Sequence, residues 1–215
     1  MIINRSGWLI LLVIFLLGCS GGEKTYYAVI ETEYGTMKAV LYNTTPQHRD
    51  NFVKLAKEDF YDGLLFHRII PGFMIQGGDP ESKNAPSGQR LGMGGPGYQI
   101  PQEIGAPHFR GTLAAARTPN PEKASSGSQF YIVQGQKQSR SSLEAMAARK
   151  QIAYNETQIQ KYLDVGGRPD LDMEYTVFGE IVSGMDVIDK ISAVERDGAD
   201  RPLIDVTMNV RITNN

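Results

Sequence analysis

Cysteine is nearly absent: the 215 residues hold one, Cys19, which excludes an internal disulfide framework and any multi-cysteine zinc site. Histidine is almost as scarce, with 3 residues scattered at positions 48, 67 and 108, a poor supply for a metal site. An excess of one charge is missing as well. Against 24 acidic residues stand 22 basic ones, a formal net charge of −2, and no lysine or arginine run forms the basic footprint of a nucleic-acid binder. No G-x-S-x-G, H-E-x-x-H or Walker A run occurs. Gly92 to Gly97 spells G-x-G-x-x-G, but Pro96 and Pro101 forbid the helix that must open at the end of a dinucleotide-binding turn. The stretch reads as a loop.

What remains is a chain that is 41% hydrophobic and 21% charged, enough for a real core in one domain, with 23 glycines and 11 prolines pointing to many turns. Its N-terminus carries an apolar run, Trp8 to Leu17, behind Arg5. That run is about half of the ~20 residues a spanning helix needs, so residues 1–18 read as a signal peptide. Leu16-Leu17-Gly18-Cys19 resembles the bacterial lipobox, in which the peptide is cut before a cysteine that takes a diacylglycerol. The expectation is a protein of the bacterial cell envelope, anchored to a membrane through a lipid on Cys19, with residues 19–25 as tether and 26–215 as the folded domain. The alternative for this segment is an uncleaved anchor helix with an ordinary free cysteine.

The body alternates between strands and turns. Two β-rich runs, YYAVIET and TMKAVLY, flank Glu33-Tyr34-Gly35 as a hairpin. Thr44-Thr45-Pro46 opens a helix with a hydroxyl cap, and Phe52, Leu55 and Ala56 give it a buried face. Leu64 to Ile75 reads as one or two core strands, and Thr112 to Ala116, Phe130 to Val133 and Tyr175 to Val182 as others. Met185 to Ile191 forms a second short helix, and the strict alternation of Val206, Met208, Val210 and Ile212 makes a closing strand. The pattern suggests an all-β, closed antiparallel barrel capped by two helices. Residues 139–167 break the rhythm with helical period, Ser141 and Glu144 as a capping box and Asn155 as a second cap, a helical hairpin inserted between strands.

Two motifs carry the chemistry: FHRIIPGFMIQGGD from Phe66 to Asp79, and GSQFYI from Gly127 to Ile132. Taken singly, Phe73, Met74 and Tyr131 read as core residues, and Arg68 as an ion-pair partner of Asp79 or Glu103. Their joint occurrence, with Asn51-Phe52 and Val177-Phe178-Gly179, resembles the cyclophilin family of peptidyl-prolyl cis-trans isomerases over Tyr26 to Ile212 outside the insert. The resemblance implies eight strands in the barrel and an active groove on its outside. It also implies Arg68 as the catalytic arginine, with Gln76 and Gln129 positioning it and the substrate backbone. Phe73, Met74, Tyr131 and Leu171 would form a proline pocket, Ala116 and Arg117 would bind the peptide backbone, and His67 and Tyr175 would complete the substrate site. Arg117, Tyr131 and Tyr175 depart from the residues most common in the family, Tyr131 by placing a hydroxyl at the rim of the implied pocket.

Such a reaction breaks no bond, so it needs no nucleophile, metal or cofactor. The implied partners are proline-containing segments of unfolded or exported chains, met by a monomer. The alternative is a proline-binding chaperone or scaffold whose turnover is incidental and whose insert is the working interface.

Overall fold

The computed structural model describes residues 24–214, so the apolar run and Cys19 lie outside the described residues. The first hairpin is as expected. Strands β1 (Tyr26–Thr32) and β2 (Gly35–Leu41) pair antiparallel, with Thr32 opposite Gly35. Gly35 holds φ at +129°, a region that side-chain-bearing residues rarely adopt.

Helix α1 (Pro46–Lys57) starts where proline fits the first turn, and it buries His48, Phe52, Val53, Leu55 and Ala56. Its cap differs from the expected hydroxyl. Thr45 makes no side-chain cap; Glu103, far along the chain, accepts from Gln47 N at 3.1 Å and His48 N at 3.0 Å. A full carboxylate at the positive end of the helix satisfies two orphan donors at once, which one hydroxyl cannot do.

Then come β3 (Leu64–Leu65), β4 (Arg68–Ile70), β5 (Met74–Gly77), β6 (Gln99–Ile100), β7 (Thr112–Ala115), β8 (Ser125–Ser126) and β9 (Phe130–Val133). The insert supplies α2 (Arg140–Lys150) and α3 (Glu156–Asp164). β10 (Val177–Ser183), α4 (Met185–Ser192) and β11 (Thr207–Asn214) complete the described chain.

Nine strands curl into one antiparallel sheet in the order β3-β11-β1-β2-β10-β7-β9-β5-β4, while β6 and β8 pair separately. This corrects the expectation of a closed eight-stranded barrel. The apolar run from Leu64 divides: β3 pairs with β11, and β4 pairs with β5 at the other end of the sheet. Between them Phe66 and His67 carry the chain across, with Phe66 N on Val206 O and Ile69 N on Asp200 O. The end strands are therefore linked by the chain itself and do not hydrogen-bond to each other, giving an open half-barrel.

The inner face is the core. Ile69, Ile75, Leu113, Ala115, Phe130 and Ile132 belong to one buried cluster, and both α1 and α4 pack into it. The Phe52 ring lies 4.9 Å from Tyr61 and 5.4 Å from both Phe130 and Phe178. This aromatic knot ties α1 to the sheet.

The insert begins earlier than its serine pattern suggested. Ser139, not Ser141, caps α2, with its Oγ accepting from Ser142 N at 3.1 Å, so the Ser141–Glu144 box does not form. Starting the helix at Arg140 also lets that guanidinium pair with Glu156 on α3. Asn155 caps α3 as expected and shares a full capping box with Gln158. Leu143 and Tyr162 pack with Phe109 in a small core of their own. The base is pinched shut by backbone bonds between Gln136 and Gly167. A Cβ on Gly135 would stand 2.6 Å from the Gly167 backbone, so only glycine admits this neck.

Replacing Glu103 by alanine removes the cap of α1 and the 2.7 Å bond to His48 Nδ1. The expected loss is roughly 2 kcal/mol of unfolding free energy, measured by urea denaturation at neutral pH.

Candidate functional site

The site grows from strand alternation. Successive side chains on a strand face opposite ways, so if Ile69, Ile75 and Ile132 face the core, their neighbours face out. Arg68 stands opposite Gln76, Gln76 opposite Tyr131, and Tyr131 opposite Ala114 across four adjacent strands. Met74, Ala114, Ala116, Tyr131, Val133 and Val177 form a second apolar cluster, separate from the core, with Phe73, Leu171 and Tyr175 packed against it. The reading of Phe73, Met74 and Tyr131 as ordinary core therefore gives way to an apolar outer face.

On that face is a hollow of about 110 Å³. Arg68 and Gln76 line one part of it, Phe73, Met74, Tyr131 and Leu171 the apolar part, and Ala116, Arg117 and Tyr175 the remainder. It is smaller than the ~150 Å³ cavity that can hold a benzene molecule, which suits a five-membered ring. A wider cavity of about 530 Å³ shares Gln76, Ala116 and Arg117 with the hollow and includes Gln129. An extended chain crossing Ala116 would touch both. The other large cavity, about 560 Å³ between Tyr26 and α1, is lined mainly by charged groups and contains none of the motif residues.

The polar residues are ordered by a relay. Arg68 Nη1 donates to Gln76 Oε1 at 3.4 Å, Gln76 Nε2 to Gln129 Oε1 at 3.1 Å, and Gln129 Nε2 to Gly94 O at 2.7 Å. Gly94 is held in turn by the buried Asp79 carboxylate, which accepts from the backbone N–H groups of Glu81, Gly92 and Gly94. The glycine loop thus wraps a carboxylate, and a Cβ on Gly94 would collide with it at 2.1 Å. Asp79 and Glu103 are committed to backbone donors, so neither takes the ion pair once open to Arg68. Arg117 donates to the Glu174 carbonyl at 3.1 Å and carboxylate at 3.2 Å, and its guanidinium lies 4.8 Å from the Tyr175 ring centre.

Two sequence expectations change. His67 does not line the hollow: it is 4% exposed, with Gly92 packed over its ring. Burial pushes its pKa down to about 4, against the pull of Asp79, so the ring is neutral at neutral pH. The Tyr131 hydroxyl, expected at the pocket rim, points inward instead and meets His108 Nε2 at 3.1 Å. Behind the hollow, the Arg168 guanidinium lies 4.0 Å from the Phe73 ring centre. Sequence reasoning missed Arg168, His108 and Asp172, because no spacing rule joins position 108 to position 172. The only hint was a hydroxyl-bearing residue at 131.

The three histidines lie apart: His48 on Glu103, His67 buried, His108 on Asp172. Among the described residues no group of three or more histidine, cysteine or acidic side chains could hold a metal ion.

The profile of the cyclophilin type peptidyl-prolyl cis-trans isomerase/CLD family matches residues 27–212. The chain belongs to that family. It is 39% identical over 188 residues to a Streptococcus pyogenes protein with a provisional bifunctional phosphatase/peptidyl-prolyl cis-trans isomerase name; the match covers 82% of this chain and 36% of that one, so the chain spans about a third of that relative. A Staphylococcus saprophyticus protein with a provisional peptidyl-prolyl cis-trans isomerase name is 34% identical over 187 residues, 84% of this chain and 88% of its own. A crystal structure of a Cryptosporidium parvum cyclophilin type isomerase, determined in the presence of the dipeptide Ala-Pro, shares the fold. Its TM-score is 0.62 at 24% identity, covering 88% of this chain and 99% of that one.

The buried His67 makes stability depend on pH. The unfolded ring takes up its proton near the ordinary value of 6.5, the folded one only near 4, so between these values the unfolded state binds more protons. Stability is present above pH 6.5 and is lost as pH falls toward 4, by up to about 3 kcal/mol. Urea midpoints measured from pH 7 to pH 4.5 should fall for the wild type and fall less steeply for His67→Leu.

Proposed function

We propose that this domain isomerises X–Pro peptide bonds in exported, unfolded chains, with the proline ring seated in the hollow beside Arg68. The observation that carries the reading is the meeting of one half-buried guanidinium with an apolar hollow of about 110 Å³ on the outside of the sheet.

The physics of the reaction explains why these residue types suffice. The planar imide resists rotation by roughly 18–20 kcal/mol because twisting it destroys resonance. At the twist the proline nitrogen regains a basic lone pair, and a donor aimed at it or at the adjacent carbonyl oxygen lowers the barrier. Arg68, a cationic fork of N–H groups, is such a donor. The twisted imide is also less charge-separated than the planar one, so the walls formed by Phe73, Met74, Tyr131 and Leu171 favour it over the ground state. A gain of about five decades needs about 7 kcal/mol. One charged hydrogen bond contributes ~1.5–3 kcal/mol, so the apolar walls and the backbone clamp at Ala116 and Arg117 supply the rest. Gln76 and Gln129, one residue behind another in the relay, keep the guanidinium from swinging to solvent.

Two further elements of the reading concern place and state. The lipobox-like Leu16 to Cys19 supports an envelope protein held to a membrane by a lipid on Cys19, and the domain works as a monomer. The Ala-Pro present with the Cryptosporidium relative supports a proline-bearing peptide as the ligand here.

A prolyl-peptide isomerisation assay tests the activity. Arg68→Ala should lower kcat/KM about 10- to 100-fold, the loss of one charged hydrogen bond at the transition state. A wild type that binds proline peptides without turnover would favour the binding module instead. For the anchor, the mass of the mature protein from a bacterial host should show cleavage before Cys19 and an added diacylglycerol, and Cys19→Ala should abolish both.

A further inference from the structure

The wall of the hollow is backed by a polar network that begins in the helical insert. Asp172, 3% exposed, stands at its centre. Its Oδ2 accepts from the hydroxyls of Tyr154 and Tyr162, both at 2.6 Å; Tyr162 lies on α3 and Tyr154 just before it. Its Oδ1 accepts from His108 N at 2.7 Å and faces His108 Nδ1 at 2.9 Å. A carboxylate only accepts, so Nδ1 carries a hydrogen and the ring is fixed in orientation. Nε2 then meets the Tyr131 hydroxyl at 3.1 Å, the two rings lying nearly parallel at 12°. Burial, ahead of the nearby carboxylate, pushes the Tyr154 and Tyr162 hydroxyls well above their ordinary pKa, so both remain donors. A second link runs beside the first. Lys150, the last residue of α2, donates to the carbonyls of Asp170 and Asp172 on either side of Leu171.

We propose that Asp172 and His108 are positioning residues through which the insert fixes the Tyr131 and Leu171 walls of the hollow, so that the insert shapes the substrate site it does not itself line. The inference deepens the proline-pocket reading and rests on it. Buried networks of this kind hold their members to one geometry because an unpaired member is costly. Apolar contact alone would leave the Tyr131 ring free to tilt. With its hydroxyl tied, a disturbance at α3 reaches the pocket wall through three hydrogen bonds.

The test is a cycle of hydroxyl deletions. Tyr154→Phe with Tyr162→Phe removes both donors to Asp172 while keeping the rings, and should lower kcat/KM about 3- to 10-fold, chiefly through KM. Combined with Tyr131→Phe, the same pair should have almost no further effect, because the route to the wall is already cut. Effects that simply multiply, or no effect in either background, would overturn the proposal. The assigned NMR ring signals of Tyr131 give a readout independent of turnover: they should move on Tyr154→Phe with Tyr162→Phe and also on Asp172→Asn, whose single carbonyl oxygen can serve His108 but not the two tyrosine hydroxyls as well. Ring signals that ignore the insert refute the link. Ring signals that respond in a protein without isomerase activity would refute the pocket reading alone.

Discussion

The structure depends on a two-residue alternation kept in register across four neighbouring strands. Along β4, β5, β9 and β7 every second side chain enters the core, and those between stand on the outer face. A slip of one residue by β4 or β5 would send Arg68 or Gln76 into the core and expose an isoleucine, so core packing and site geometry are enforced by the same constraint. Site residues on strands are also held more firmly than loops would hold them, which a donor aimed at one nitrogen requires.

Much of this was legible before any coordinates. The hairpin, α1, α4, β9 and the closing strand follow from alternation, helical spacing and turn residues, and the motif from Phe66 to Asp79 holds Arg68, Phe73, Met74 and Gln76 of the residues that line the hollow. What escaped was non-local. Glu103 caps a helix more than fifty residues away, and nothing near Thr45 indicates that its hydroxyl will go unused. The apolar run from Leu64 reads as one or two strands, because hydrophobicity does not reveal where a chain leaves one partner for another. His67 sits beside Arg68 in sequence, yet adjacent residues in extended chain face opposite ways, so one lies against the hollow and the other beneath Gly92. The Tyr131 hydroxyl could be seen in the sequence, but its direction depends on His108.

The support of the site is layered. The guanidinium leans on Gln76, Gln76 on Gln129, Gln129 on a carbonyl, and that carbonyl on a loop wound about Asp79. The apolar side leans on Arg168 over Phe73, and on the turn that presents Leu171. The polar groups in these layers are committed to partners, so the hollow keeps its shape without being filled by the chain's own side chains.

The crossing at Phe66 and His67 has a consequence for any extended chain that meets this molecule. The two borders of the sheet are only two and three residues long and are joined head to tail. They offer little bare backbone to a sticky extended segment, which would otherwise add itself as another strand and stay. A visitor is left with the short stretch of groove at Ala116 and the hollow beside it, and can depart.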